Sequence, residues 1–210
     1  MTMVLYGRPM AGSLAVEFLL AELGLAHRRV LVTGYGDGVR PASFAAVNPL
    51  RQVPALTLAD GSLLTESGAI LFHLAESHPG LAPLPDEPGR AVYLRWMFYM
   101  AATIYPTAMQ IIHPENYIDD ERRFPAIVAR AEAVIARQWA VIEDALGDHG
   151  RLAGAELSAA DLYALMFALW FPDMATVAGR PATVRLVGEL SPRPAIAAVL
   201  LRNRQQENWA

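Results

Sequence analysis

The chain contains no cysteine at all. Disulfide staples, thiolate metal sites and reactions through a protein thiol nucleophile are therefore excluded, and a thiol that does chemistry here must arrive on a ligand. Basic tracts are also missing. Seventeen Lys and Arg residues stand against 21 Asp and Glu, the net charge is -4, and the longest basic runs are the pairs Arg28-Arg29 and Arg122-Arg123. That balance gives no electrostatic footprint for nucleic acid or another polyanion. Long apolar runs are short as well: the longest, Leu162 to Phe171, is about half of the ~20 residues that a bilayer span requires, so it reads as a buried helix. The first residues enter Met3-Val4-Leu5-Tyr6 with no basic stretch, apolar leader or small-residue cleavage site, which leads to the expectation of a cytoplasmic protein. What the chain does have is apolar material. At 210 residues and 54% hydrophobic content it can build a substantial core, in one large domain or two modest ones.

Residues 79 to 88 contain four prolines and can continue neither a helix nor a central strand, so they read as an interdomain linker. Before them the texture alternates. Val4-Leu5-Tyr6, a helical pattern from about Ser13 to Leu23 stopped by Gly24, and Val30-Leu31-Val32 form a β-α-β unit. A Gly-rich stretch from Gly34 to Gly38 and a short helix-like segment from Pro41 to Val47 lead to Ala55-Leu56-Thr57-Leu58. Asp60-Gly61 then signals a hairpin into Ser62-Leu63-Leu64, and a helix follows from about Ser67 to Ser77. The order β-α-β-α-β-β-α is compatible with a small mixed sheet covered by helices.

After the linker only 3.6-residue periodicity is found, over about Arg90 to Ile112, Pro125 to Leu146, Ser158 to Trp170 and Pro194 to Gln205, so this part is read as all-helical. Pro106 falls inside the first of these segments and should kink it, opening room for a ligand. Ser158-Ala-Ala-Asp161 reads as a capping box with Asp in place of Glu or Gln, serving the buried start of an apolar helix. The five histidines have no ligand spacing that repeats with carboxylates, so no metal site is expected.

Two short motifs carry the functional reading. Asn48-Pro-Leu-Arg-Gln-Val-Pro54 is followed by Thr65-Glu-Ser-Gly-Ala-Ile70, and together they resemble the glutathione transferase superfamily. The resemblance spans nearly the whole chain. It departs from the family pattern at Arg51, where a glycine is usual, and it is specific in the first eighty residues and generic afterwards. It implies an α/β thioredoxin-like N-terminal domain over residues 1–78, a linker over 79–88 and an all-α C-terminal domain over 89–210. It further implies a cis peptide before Pro54 and a Val53 backbone edge that pairs with the cysteinyl unit of glutathione, as a peptide ligand adds to a strand.

Glu66 and Ser67 stand at the start of a helix, where unpaired N–H groups and the dipole favour an anion. The γ-glutamyl carboxylate would be held there, and Glu66 would pair with the ligand's ammonium group. For the glycine carboxylate, Gln52 has the best motif support, with Arg40 and Arg51 as further donors. Ser13, at the start of the first helix, is the leading candidate to donate to the thiolate, and Tyr6 is the alternative. Either residue also has an ordinary structural reading, as a helix cap and as a core tyrosine. By resemblance to bacterial members with Cys-Ser here, Gly12 stands at the cysteine position, so cysteine-dependent reductase and lyase activities are not expected. The acceptor pocket is assigned to Tyr105, Met10, Met109 and His113, with Tyr99, Thr103, Trp170 and Phe171 as possible additions. The expected activity is conjugation of the glutathione thiolate to a small hydrophobic electrophile, by a homodimer that needs no metal or redox cofactor. A non-catalytic glutathione-binding or interaction module, and a glutathione-dependent peroxidase or isomerase, are the alternatives.

Overall fold

The computed structural model describes residues 1–32, 42–147, 149–171 and 180–207. Four strands form one sheet in the order β2-β1-β3-β4, with β1 at Met3–Gly7, β2 at His27–Leu31, β3 at Ala55–Thr57 and β4 at Leu63–Thr65. β1 pairs in parallel with β2 and antiparallel with β3, placing Tyr6 between Val30 and Ala55. Helix α1, Ser13–Glu22, makes the crossover from β1 to β2 that a parallel pair requires. The β3–β4 hairpin turns at Asp60-Gly61, where the Asp60 carboxylate accepts from the Ser62 N–H at 2.8 Å and its hydroxyl at 2.6 Å. Helix α2, Ser67–Ser77, follows β4 directly.

The expected strand and helix order of the first eighty residues is therefore found, with a 3₁₀ turn, Ala42–Ala46, for the short helical segment. The Gly34 to Gly38 reading lies outside the described residues. The sheet and its helices, followed by a helical region, confirm the thioredoxin-like plus all-α fold.

The stretch from 79 to 88 is a series of turns tied down on both sides. The buried Leu81 carbonyl accepts the Ala159 N–H at 2.8 Å, and Arg90 donates to the Pro83 carbonyl at 2.9 Å. Beyond it, helix α3 covers Arg90–Tyr99, and a π-helical stretch, Met100–Ile104, leads into α4, Tyr105–Ile112. This is how the chain accommodates Pro106. The π-helical stretch runs without a break into α4, and the proline falls in the first turn of α4, directly after the wider turn. Helix α5 spans Phe124–Leu146, α6 Ala159–Trp170, α7 Pro181–Leu190 and α8 Pro194–Glu207.

Helix α1 is buried nearly all round because it packs on α2 from one half and on α6 and α8 from the other. Its Leu14, Phe18 and Leu19 join a single core cluster that also holds Leu56 and Ile70 of the α/β half and Trp96, Trp139 and Leu165 of the helical half. Burying each such side chain stabilises the fold by about 1.5–3 kcal/mol. At the start of α6, both the N–H and the hydroxyl of Ser158 donate to Asp161 Oδ2 at 2.8 Å, and the Leu152 N–H donates to Oδ1 at 2.8 Å. Burial pushes the Asp161 carboxyl above its ordinary pKa, and these three donors pull against that rise. Among the described residues, no helix is long and apolar enough to cross a membrane.

Candidate glutathione-binding site

A cleft of about 1120 Å³ opens where the edge of the α/β half meets α3, α4 and α6. Its floor is polar and comes from two loops. The first, residues 48–54, is organised by the buried Asn48, whose Nδ2 donates to the Gln52 carbonyl at 2.8 Å and whose Oδ1 accepts the Leu50 N–H at 3.1 Å. The loop ends in a cis peptide at Val53-Pro54, as the resemblance implied. Gln52, Val53 and Pro54 all line the cleft.

The second loop delivers Glu66 and Ser67 at the N-terminus of α2. Glu66 is exposed, with φ at 69°, while Ser67 is buried. Ser67 Oγ lies 2.8 Å from the Tyr163 hydroxyl of α6, a contact 96 residues apart in the chain. Burial pushes the Tyr163 phenol well above its ordinary pKa, so it stays protonated. Gly68 makes this approach of the two halves feasible: a Cβ there would sit 3.2 Å from the Ala101 Cβ and 3.9 Å from the Tyr163 hydroxyl.

The three non-glycine residues with positive φ among the described residues are Met10, Arg51 and Glu66. Each belongs to one of the loops that approach the cleft or the start of α1, and backbone strain of this kind gathers at functional sites. At Arg51, φ is 51°, a conformation glycine adopts freely, which explains why the family pattern has glycine there.

The opposite wall is largely apolar, with Met97, Ala101, Tyr105 and Met109 among its residues. The Tyr105 ring is fixed edge-on by Phe167 and Trp170, at centroid distances of 5.7 and 5.6 Å. Tyr105 and Met109 both line the cleft. The structure places Met10 and His113 elsewhere. Met10 packs on the core and gives its N–H to Asn203 at 3.1 Å, and His113 closes α4 with Nδ1 3.0 Å from Glu115. Tyr6 leans on Phe44, with ring centroids 5.7 Å apart, in a small cluster behind Val53. Ser13 is fully buried; its hydroxyl donates to the Arg8 carbonyl at 3.0 Å and accepts the Arg8 N–H at 3.3 Å. Arg40 lies outside the described residues. Among the described residues there is no group of three or more His, Asp and Glu that could hold a metal ion.

Sequence reasoning missed Tyr163, the organising role of Asn48 and the closing of the cleft by Asn116 and Tyr117. Asn48 had a visible signal in its motif. Tyr163 had none, because it sits in an apolar helix where periodicity marks every residue as core.

Fold and site together define a two-part protein whose cleft joins the loop before β3, the N-terminus of α2 and an adjoining apolar wall. The comparisons with known proteins agree. Residues 12–77 match the family model for the glutathione S-transferase N-terminal domain. Over 172 residues, 80% of this chain and 82% of the relative, the sequence is 31% identical to glutathione S-transferase GstA of Escherichia coli O157:H7. A shorter match, 31% over 116 residues, covers 55% of the chain and 57% of the GST-like protein YncG of Escherichia coli K12. A solved sphingomonad glutathione S-transferase in complex with glutathione superposes with a TM-score of 0.79 at 27% identity, over 95% of this chain and 98% of that one. The chain belongs to the glutathione S-transferase family.

Proposed function

We propose that the protein is a glutathione transferase that joins the glutathione thiolate to a small hydrophobic electrophile. The observation that carries this reading is the cleft itself: Val53, Glu66 and Ser67 form a polar floor directly facing an apolar wall that includes Tyr105 and Met109. In this reading the Val53 backbone pairs with the cysteinyl unit. Ser67 and the N–H groups opening α2 take the γ-glutamyl carboxylate, and Glu66 takes the ammonium group. Gln52 serves the glycine end, with Arg40 as a further donor.

These contacts point the sulfur toward the N-terminus of α1, where Ser13 is the donor that the resemblance implies and Tyr6 its alternative. Positive partial charge at that helix end favours S⁻ over SH. The thiol proton leaves to solvent, and a sulfur lone pair forms the S–C bond while the leaving group departs with its bonding pair. Holding both partners in one cleft supplies proximity without a covalent enzyme intermediate. No metal or redox cofactor takes part in this scheme. The protein acts as a cytoplasmic homodimer, as the family resemblance implies, and sedimentation tests that state.

Calorimetric titration with glutathione, followed by incubation with an activated aryl halide, tests the activity. The expected result is saturable binding, with one halide released per thioether formed. Absence of glutathione binding at millimolar concentration refutes the reading. Binding with a glutathione-dependent isomer or reduced peroxide as product, and no thioether, replaces conjugation by one of the alternatives.

A further inference from the structure

Position 12 has no side chain, yet the space a side chain would fill there is taken. A Cβ on Gly12 would lie 2.4 Å from the Tyr105 hydroxyl oxygen and 3.4 Å from Pro54 Cδ. Gly12 is the N-cap of α1 and makes no side-chain cap bond. The Tyr105 hydroxyl, carried by the helical half, therefore stands at the helix start, beside the cis-proline edge and on the cleft wall. Nearby, Ser13 Oγ is engaged with both backbone groups of Arg8, and the Tyr6 ring packs on Phe44.

We propose that Tyr105 donates the hydrogen bond that stabilises the glutathione thiolate, at the place beside α1 left open by Gly12. The assignment rests on the glutathione transferase reading and deepens it. Tyr105 is suited to the task in three respects. Its ring is clamped edge-on between Phe167 and Trp170, so little rotational freedom is lost on engaging sulfur. It is the first residue of α4, immediately after the π-helical stretch that sets its direction. Its hydroxyl and the α1 N-terminus meet at one point, so two sources of positive potential act on the same sulfur. Tyr105 keeps its own proton throughout; the thiol proton goes to water, and conjugation proceeds by the bond changes already given.

Tyr105→Phe removes the hydroxyl and keeps the ring between Phe167 and Trp170, so the variant is expected to fold. The measurement is a pH titration of ultraviolet thiolate absorbance for the glutathione complex, with binding followed by calorimetry. The bound thiol pKa is expected to rise by about one unit, with about a tenfold loss of kcat/KM below that pKa. The glutathione Kd is expected to stay within about threefold. Gly12→Ala, whose new methyl displaces the hydroxyl, should produce a similar rise in the otherwise unchanged protein and add nothing in the Tyr105→Phe background. Normal binding with an unchanged thiol pKa in Tyr105→Phe, and a raised pKa in Ser13→Ala, overturns the assignment while leaving the transferase reading intact. Failure of the unaltered protein to bind glutathione overturns both.

Discussion

Ser67 is held by a hydroxyl from the other half of the molecule. Tyr163 is buried and protonated, and its hydroxyl lies 2.8 Å from Ser67 Oγ. In the proposed complex Ser67 would give its hydrogen to the γ-glutamyl carboxylate and leave its oxygen to accept from Tyr163, so that the two hydroxyls would form a chain aimed into the cleft. Tyr163→Phe removes the outer link and keeps the ring. The expected outcome is a glutathione Kd raised about three- to tenfold, the loss of one hydrogen bond of about 1 kcal/mol, with kcat at saturating glutathione little altered. Calorimetry and steady-state kinetics check it; an unchanged Kd shows that Ser67 orients itself without help. At this scale the sequence is an uneven guide. Val53-Pro54 and Glu66-Ser67 are legible because each needs particular residue types at adjacent positions. Tyr163 is not, since its partner is far away in the chain and its surroundings are uniformly apolar.

Among the elements, α7 shows most clearly why part of the helical half escaped the sequence reading. Its Pro-Ala-Thr-Val-Arg-Leu-Val-Gly-Glu-Leu has two valines, a threonine and a glycine, which weaken intrinsic helicity, and it lies between prolines. The deciding interaction is tertiary. Glu143 on α5 accepts the Ala182 N–H at 2.6 Å, the Thr183 N–H at 2.9 Å and the Thr183 hydroxyl at 2.6 Å, satisfying the start of α7 from outside. Glu143→Ala is expected to destabilise the protein by about 2 kcal/mol, read from the urea midpoint, and Glu143→Gln to recover part of that loss. Helix α8 is fixed by a different device. The fully buried Glu17 of α1 meets Arg29 at 3.0 Å, Arg202 at 3.0 Å and Asn203 at 3.1 Å, and Asn203 also accepts the Met10 N–H. Burial lowers the Arg29 pKa from its ordinary value, although the Glu17 charge opposes that fall. Glu17→Gln leaves two guanidinium groups facing a neutral amide. A loss of about 3 kcal/mol is expected, as when one member of a buried pair is removed. Adding Arg29→Met should restore part of it, and strict additivity of the two changes would show that the residues are not coupled.

For the whole molecule, the site and the core make the same demand on the two halves. One apolar cluster runs through both, and the cleft draws its floor from the α/β part and its wall from the helical part. Glutathione bound at Val53, Glu66 and Ser67 would therefore touch groups already braced by Tyr163 and Ala101, and its binding free energy should appear in the unfolding of the entire chain. At about 100 times its Kd, glutathione is expected to add about 2.7 kcal/mol to the folded state. For a chain of this size that corresponds to a rise of about 5–10 °C in Tm. Calorimetric scanning should show a single transition that moves as one, with calorimetric and van't Hoff enthalpies in agreement. In Tyr163→Phe the transition should stay single and move less at the same glutathione concentration, because the weaker Kd lowers saturation. Two transitions, of which glutathione moves only one, would mean that the halves unfold independently and that the contact between Ser67 and Tyr163 couples the site to α6 without coupling the two folds.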